Sequence, residues 1–225
     1  MGVTPEGLAD VYPRLSHMAE AGTWDSIQKH GLLSTSSLLT LFEVDDRARR
    51  EIEARRRPES VPVTHARHGR AVVRDQKPLI QSKLLQSLRG CTPEEWYRLL
   101  NSRVFFWLTE DRLKTLICAR EYAGKEHTVL TLGTLPFVSA YQQLITLAPM
   151  NTGNTQPFAH PRGPDTFMKM EDYPFEEREK CGPNGRVVEL AVEGGVPDVA
   201  KYTLKVANMK CTGKNVEVIT LFFER

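Results

Sequence analysis

The chain has 225 residues, of which 40% are hydrophobic and 26% are charged, and 30 Lys and Arg oppose 28 Asp and Glu. This composition excludes a disordered or fibrous chain, and the lack of any run of 18 apolar residues argues against a transmembrane helix. The first residues show no basic start followed by an apolar stretch, so we expect no signal peptide. Four distant cysteines without a CxxC pair (Cys91, Cys118, Cys181 and Cys211) predict neither a disulfide framework nor a zinc site. We therefore expect a soluble, cytoplasmic protein.

The first half of the chain is predicted to contain short helices and one small hairpin. Helices are expected over residues 24–31, 34–42, 45–57, 79–88 and 92–100, and the two hairpin strands over 61–65 and 70–75. The last of these helices has the sequence of a capping box, formed by Thr92 and Glu95, with Pro93 at the first helical position.

The second half of the chain is predicted to be richer in strands. Residues 104–108 (VFFWL) form a continuous apolar run that indicates a buried central strand, and a helix follows Thr109. Further strands are expected over 129–132, 145–147, 186–192, 202–207 and 216–223, with a helix near 135–142. This pattern, which contains no repeats, predicts an α+β fold and a single domain over residues 1–225.

A basic insertion is expected over about residues 43–90. Nine arginines lie between Arg47 and Arg74, against three glutamates, which gives this stretch a local charge of +6. It is either a solvated surface whose charges match a helix dipole or a patch that contacts phosphates, and both interpretations stay open. The spacing of His65 and His68 lacks a convincing further ligand, so we predict no metal site. The hairpin is then an ordinary exposed one or a basic one that contacts NAD phosphates or nucleic acid.

A loop that faces the substrate is predicted over about residues 149–185. This segment holds six of the 14 prolines and no clear periodicity, which in a compact domain is typical of a functional or a disordered loop. Its aromatic residues argue against disorder.

Residues 16–33 (SHMAEAGTWDSIQKHGLL) place His17 at the end of a predicted strand, before a helix that ends at Gly31. A lone histidine is more often structural than functional. The segment nevertheless resembles the opening of the ADP-ribosyltransferase superfamily, in which a strand ending in His precedes such a helix. The matching positions are Trp24, Ser26, Ile27, Gly31 and Leu32. The resemblance implies that His17 binds the adenosine ribose of NAD and that Ser34 lies beside the cofactor.

The aromatic strand around residues 103–111 (RVFFWLTED) is the second point of resemblance. In the same superfamily an aromatic ring on a central strand stacks on nicotinamide, which implies cofactor contacts by Phe105, Phe106 or Trp107. Ordinary core packing explains each ring equally well. DarT-type members carry a catalytic Arg soon after the aromatic run. Here Arg103 precedes the run and Arg112 follows it at a different spacing, so both stay candidates.

Glu189 is a carboxylate in the middle of an otherwise apolar strand, within residues 185–206. Burying it alone would cost several kcal/mol, so it either pairs with a buried Arg or lines a polar pocket. Its surroundings, with Pro197 directly after Val196, resemble those of the catalytic Glu in DarT-like enzymes. The resemblance therefore implies that Glu189, rather than Glu193, stabilises the positive charge that develops on the ribose.

In their order along the chain, these segments resemble DarT-type nucleic-acid ADP-ribosyltransferases and an uncharacterised bacterial domain family related to them. The resemblance implies a split mixed or antiparallel sheet core with helices around it, and NAD as co-substrate without a metal. It also implies a single-stranded DNA or RNA acceptor, an antitoxin or ADP-ribose hydrolase partner, and no membrane. The residues expected to bind the acceptor are Asn151, Asn154, Arg162, Asp165, Phe167, Arg55, Arg56 and Arg74.

Several other functions stay open. They are an RNA 2′-phosphotransferase, an NAD hydrolase, a transferase that modifies a protein side chain, and a non-catalytic module that binds nucleic acid or protein on the same fold.

Overall fold

A computed structural model describes residues 2–225. The helices are α1 (Pro5–Val11), α2 (Trp24–His30), α3 (Thr35–Leu41), α4 (Asp46–Ala54), α5 (Gln81–Ser87), α6 (Pro93–Asn101), α7 (Glu110–Ile117), α8 (Thr134–Tyr141) and α9 (Gly182–Arg186). The strands are β1 (Arg14–Glu20), β2 (Leu32–Leu33), β3 (Val61–His65), β4 (Gly69–Val73), β5 (Arg103–Trp107), β6 (Glu126–Gly133), β7 (Ile145–Ala148), β8 (Met168–Lys169), β9 (Glu189–Glu193), β10 (Gly195–Val196), β11 (Thr203–Thr212) and β12 (Asn215–Glu224). The structure therefore confirms the α+β class.

The main sheet of residues 2–225 has eight strands in the order β12-β11-β6-β1-β5-β9-β7-β8, and the neighbours pair antiparallel. Strand β1 pairs with β6 along its whole length, from Arg14 to Glu20. On its other side it pairs with β5 at a single position, Ser16 opposite Trp107. The sheet thus divides between β1 and β5.

Alternation along the central strands separates two faces of the sheet. One face carries Leu15, Phe106 and Leu190, which are fully buried in the largest core cluster beneath Phe137 of α8. The opposite face carries Trp107 and, directly across from it on β9, Glu189. This second face is covered by α6, α7 and the insertion, and it contains the candidate site.

Helix α4 and the β3–β4 hairpin of the predicted insertion pack with α3 in a separate apolar cluster. Helix α4 ends at Ala54, so the prediction that the helix continues to residue 57 is wrong. The reason lies in Arg57, which is buried and donates from Nη1 to the carbonyl of Ile52 at 2.5 Å and from Nε to that of Arg74 at 3.1 Å. Arg57 therefore connects α4 to the end of β4, and Arg55 remains as the exposed charge at the helix end.

A disulfide joins Cys118, at the end of α7, to Cys211 on β11, so the expectation of no disulfide is wrong. The two residues are 93 positions apart and meet only because α7 packs against β11, which cysteine spacing cannot reveal. Cys91 and Cys181 are free thiols.

The predicted loop over 149–185 is folded into short elements, among them β8 and the beginning of α9. Within the part of the chain that the structure describes, no helix combines the length and the hydropathy needed to span a bilayer.

Candidate functional site

A cavity of about 630 Å³ lies in the cleft where β1 and β5 separate, between Glu189 and Trp107 of the second face and His17 of β1. Its walls come from the main sheet, from α2 and α7, from the hairpin of the insertion and from the loop over residues 151–156. A concave site of this size, with mixed apolar and polar walls, is typical of small-molecule binding.

Glu189 is 3% exposed and lies between Trp107 on β5 and Ala148 on β7. The backbone N–H and the hydroxyl of Thr152 both donate to its Oε2, at 2.9 and 2.6 Å. Burial raises the pKa of Glu189 to about 7, although these two bonds and the charges of Arg112 and Arg162 act in the opposite direction. Neither bond uses Oε1, so this cavity-lining carboxylate can contact a ligand and can change protonation state near neutral pH.

His17 is partly buried, and its Nδ1 lies 2.9 Å from the carbonyl oxygen of Phe105, across the break in the sheet. The pKa of His17 is lowered to about 4, chiefly by burial. The hydrogen bond to Phe105 opposes this shift, and the positive charge of Arg74 adds to it. The imidazole is therefore neutral at pH 7. Because a carbonyl oxygen only accepts, we assign the proton to Nδ1, and Nε2 is then a hydrogen-bond acceptor.

The aromatic residues of β5 divide between the two faces of the sheet. Phe105 and Trp107 line the cavity. Phe106 is fully buried on the other face, with its ring centre 5.1 Å from that of Phe137, so the expectation that it contacts a cofactor is wrong. The alternation of side chains along a strand explains why adjacent aromatic residues cannot share this role.

The two candidate arginines differ in their relation to Glu189. Arg112 lines the cavity and its charge acts on Glu189, while its guanidinium donates to the carbonyl of Asn184 at 3.0 Å from Nε and also from Nη2. Arg103 also lines the cavity but lies at the opposite end of β5 from Trp107, where it donates to the carbonyl of Leu99. The structure thus brings Arg112, rather than Arg103, to Glu189.

Ser34 is buried and caps α3 by accepting a hydrogen bond from the N–H of Ser37, so it is a helix cap outside the cavity wall. In the loop, Asn151 and Asn154 line the cavity as expected. Phe167 instead packs behind Phe105, and Asp165 is exposed outside the cavity.

Arg162 is buried, and its Nη1 donates to the carbonyl of Thr152 at 3.0 Å, so it fixes the residue that binds Glu189. Among the basic residues of the insertion, only Arg74 of the three named candidates lines the cavity. Arg55 is exposed and pairs with Glu51 at 2.7 Å, while Arg56 donates to backbone carbonyls within the insertion. Both residues therefore lie outside the cavity wall, and their contact with a nucleic-acid acceptor stays a prediction.

Two glycines connect the helix that follows His17 to the segment that follows Glu189. Gly31 adopts φ 82°, and a Cβ there would lie 2.4 Å from Cα of Pro197. Gly195 adopts φ 131°, and a Cβ there would lie 2.6 Å from the carbonyl oxygen of Leu32. The close approach allows β2 to pair with β10 beside the cavity. Gly31 of the GLL segment and Gly195 of the GGVP segment therefore allow the two backbones to approach closely.

Thr152 is the functional residue that the sequence analysis missed, although its neighbours Asn151 and Asn154 were singled out. A threonine among turn-forming residues carries no signal of its own, because its partner Glu189 lies 37 positions away.

The cavity, the buried carboxylate and the neutral imidazole lie together at a break in the sheet of an α+β protein. Residues 13–203 match a family described as a family of unknown function (DUF7002), and since this covers most of the chain, the protein belongs to that family. A comparison with the curated proteins found no match.

Proposed function

We propose that this protein is an NAD-dependent ADP-ribosyltransferase that modifies a base of single-stranded nucleic acid. The observation that carries the proposal is that Glu189, His17 and Trp107, predicted from three distant segments, line one cavity. The break between β1 and β5 supports the same proposal, because a split sheet is what the resemblance to this superfamily implies.

The chemistry of the site fits cleavage of the bond between nicotinamide and ribose. This cleavage develops positive charge on the ribose, as in glycoside hydrolysis. Ionised Glu189 would stabilise that charge and hold the ribose 2′-hydroxyl through Oε1. Nicotinamide leaves with the bonding electrons, and a nitrogen of the acceptor base bonds to the anomeric carbon. The proton that this nitrogen releases passes to Glu189 or to water.

The remaining residues would bind and orient the dinucleotide. Nε2 of His17 would accept a hydrogen bond from a hydroxyl of the adenosine ribose, and Phe105 or Trp107 would stack against nicotinamide. Arg112 would keep Glu189 ionised once the ligand excludes water, because its positive charge favours the carboxylate form.

A nucleobase acceptor is supported by an aromatic residue next to the cavity. Phe158 is 78% exposed and follows Gln156, which lines the cavity, by two residues. Aromatic side chains bind unpaired bases by stacking, at about 1–3 kcal/mol per base. Nζ of Lys83 donates to the carbonyl of Pro157 at 2.7 Å and fixes the segment between them.

Intact mass spectrometry of single-stranded DNA, of RNA and of the protein itself, after incubation with NAD, tests this proposal. We expect a mass gain of one ADP-ribose on a nucleic acid with the wild type and with Glu193→Gln, and none with Glu189→Gln. Glu193 is the matched control, since it is an exposed glutamate on the same strand. Nicotinamide release without any adduct would instead indicate an NAD hydrolase, and intact NAD in every mixture would refute the proposal.

A further inference from the structure

The cavity is lined by five arginines against four acidic residues, which are Glu20, Asp75, Glu121 and Glu189. Its arginines are Arg57, Arg70, Arg74, Arg103 and Arg112. Over residues 2–225, none of these five lies within 4 Å of a carboxylate oxygen. Asp75, which also lines the cavity, accepts hydrogen bonds from the Tyr122 hydroxyl and from the N–H of Lys77, both at 3.1 Å. Unpaired guanidinium groups in a confined space favour an anionic ligand.

Two of these arginines come from the hairpin of the insertion. Ala71 and Val73 of β4 are buried in the core of the insertion. The alternation of side chains therefore directs Arg70 and Arg74 to the opposite side, where both line the cavity. The hairpin thus forms a basic wall of the cavity.

Arg74 is held in place while part of its guanidinium stays free. Its Nη1 donates to the carbonyl of Met18 on β1 at 3.0 Å, and its guanidinium carbon lies 4.9 Å from the centre of the Tyr122 ring. Tyr122 is fixed in turn by its bond to Asp75. In the described structure neither Nε nor Nη2 of Arg74 makes a hydrogen bond, and the side chain of Arg70 makes none. A preorganised arginine with free donors is suited to bind phosphate oxygens.

We propose that Arg74 and Arg70 form a subsite for the diphosphate of a dinucleotide, next to the ribose-binding position of His17. Arg74 donates to one phosphate from its fixed guanidinium. Arg70 lies four residues earlier, about 13 Å along the strand, and its exposed side chain, which makes no hydrogen bond, is free to extend towards the second phosphate. Arg74 contacts Met18, the residue after His17, so the proposed phosphate-binding and ribose-binding groups are neighbours. This assignment rests on the proposed function for the identity of the dinucleotide, and it gives the inserted hairpin a role in binding it.

Calorimetric titration with ADP, with adenosine and with a short single-stranded RNA tests the assignment. We expect ADP to bind wild-type protein at least tenfold more tightly than adenosine does. Arg74→Gln should weaken ADP binding about tenfold and leave adenosine binding unchanged. Arg70→Gln should weaken ADP binding about threefold, and it removes no hydrogen bond or ion pair from the folded protein, since this exposed side chain makes none. The control is Arg67→Gln, in the same hairpin but outside the cavity wall, which should bind like the wild type.

Three results would overturn the subsite. The first is equal affinity of the wild type for ADP and for adenosine, and the second is an equal loss of ADP affinity in Arg67→Gln and in Arg74→Gln. The third is a loss of affinity for RNA alone, which would assign the arginines to binding of the acceptor. The subsite and the proposed function can fail separately. ADP binding that depends on Arg74 without any cleavage of NAD would leave the subsite standing and remove the transferase.

Discussion

Glu189 should reduce the stability of the protein in the pH range where its carboxyl group is ionised. Its pKa is near 4.5 in an unfolded chain and about 7 in the folded protein, because burial disfavours the charged form. A raised pKa means that the contribution of this group to stability is complete below pH 4.5 and is lost as the pH rises through 7. At about 1.4 kcal/mol per pH unit, the loss amounts to roughly 3 kcal/mol at pH 8.

The substitution Glu189→Gln removes this cost and keeps the shape of the side chain. The amide oxygen of Gln can accept both hydrogen bonds from Thr152, although these bonds are stronger to a carboxylate. We therefore expect the variant to exceed the wild type in free energy of unfolding by about 2–3 kcal/mol at pH 8. At pH 4.5 the two should be nearly equal, since the carboxyl is largely protonated in the folded protein.

Urea denaturation of both proteins at pH 4.5, 6 and 8 measures this difference, with Glu193→Gln as the control for an exposed glutamate. His17 has the opposite pH dependence, because its lowered pKa removes stability as the pH falls from 6.5 to about 4. Since His17 is present in both proteins, it cancels in the comparison. A difference that is constant between pH 4.5 and 8, or a variant less stable than the wild type at pH 8, would refute the reasoning.

Three further predictions follow from the site and from the disulfide. The kcat/KM for nicotinamide release should rise with pH up to about pH 7, and below that it should fall about tenfold per pH unit. The reason is that only ionised Glu189 stabilises the developing charge. A flat profile between pH 5 and 8 would contradict this prediction. His17→Ala should weaken adenosine binding at least tenfold in calorimetry, whereas His160→Ala, at an exposed position, should not weaken it. Equal losses of adenosine affinity in the two variants would exclude a contact between His17 and the ribose. The substitution Cys118→Ser, which removes the disulfide to Cys211, should lower the free energy of unfolding by about 2–4 kcal/mol, as measured by urea denaturation. An unchanged urea midpoint would argue against the disulfide.

The fold was largely predictable because its elements are specified by local patterns. The capping box of Thr92 and Glu95 forms as expected at the start of α6, and the apolar run over 104–108 coincides with the central strand β5. Helix α1, which the sequence analysis did not predict, begins at Thr4 and Pro5, a capping residue and a proline at the first helical position. The sequence pattern of α1 is weak because this helix has only seven residues and no long apolar stripe.

Among the residues of the cavity, Glu189 is visible in the residue pattern itself, whereas His17 and Trp107 were predicted from the family resemblance. Glu189 interrupts an apolar strand, and this is visible in the sequence because burying a carboxylate is costly. The roles of Arg57 and Arg56 were not visible, since an arginine that binds backbone carbonyls looks the same in sequence as one that binds a phosphate. Arg74 differs from them only in the free donors that the folded hairpin gives it.

The proposed function depends on NAD cleavage supported by Glu189 in this cavity. The most direct measurement is chromatographic quantification of nicotinamide released from NAD at pH 8, in the presence of single-stranded oligonucleotides. We predict release by the wild type and by Glu193→Gln, and a rate lower by a factor on the order of 100 or more for Glu189→Gln. Release by Glu189→Gln at the wild-type rate, or intact NAD after incubation with the wild type, would contradict the account.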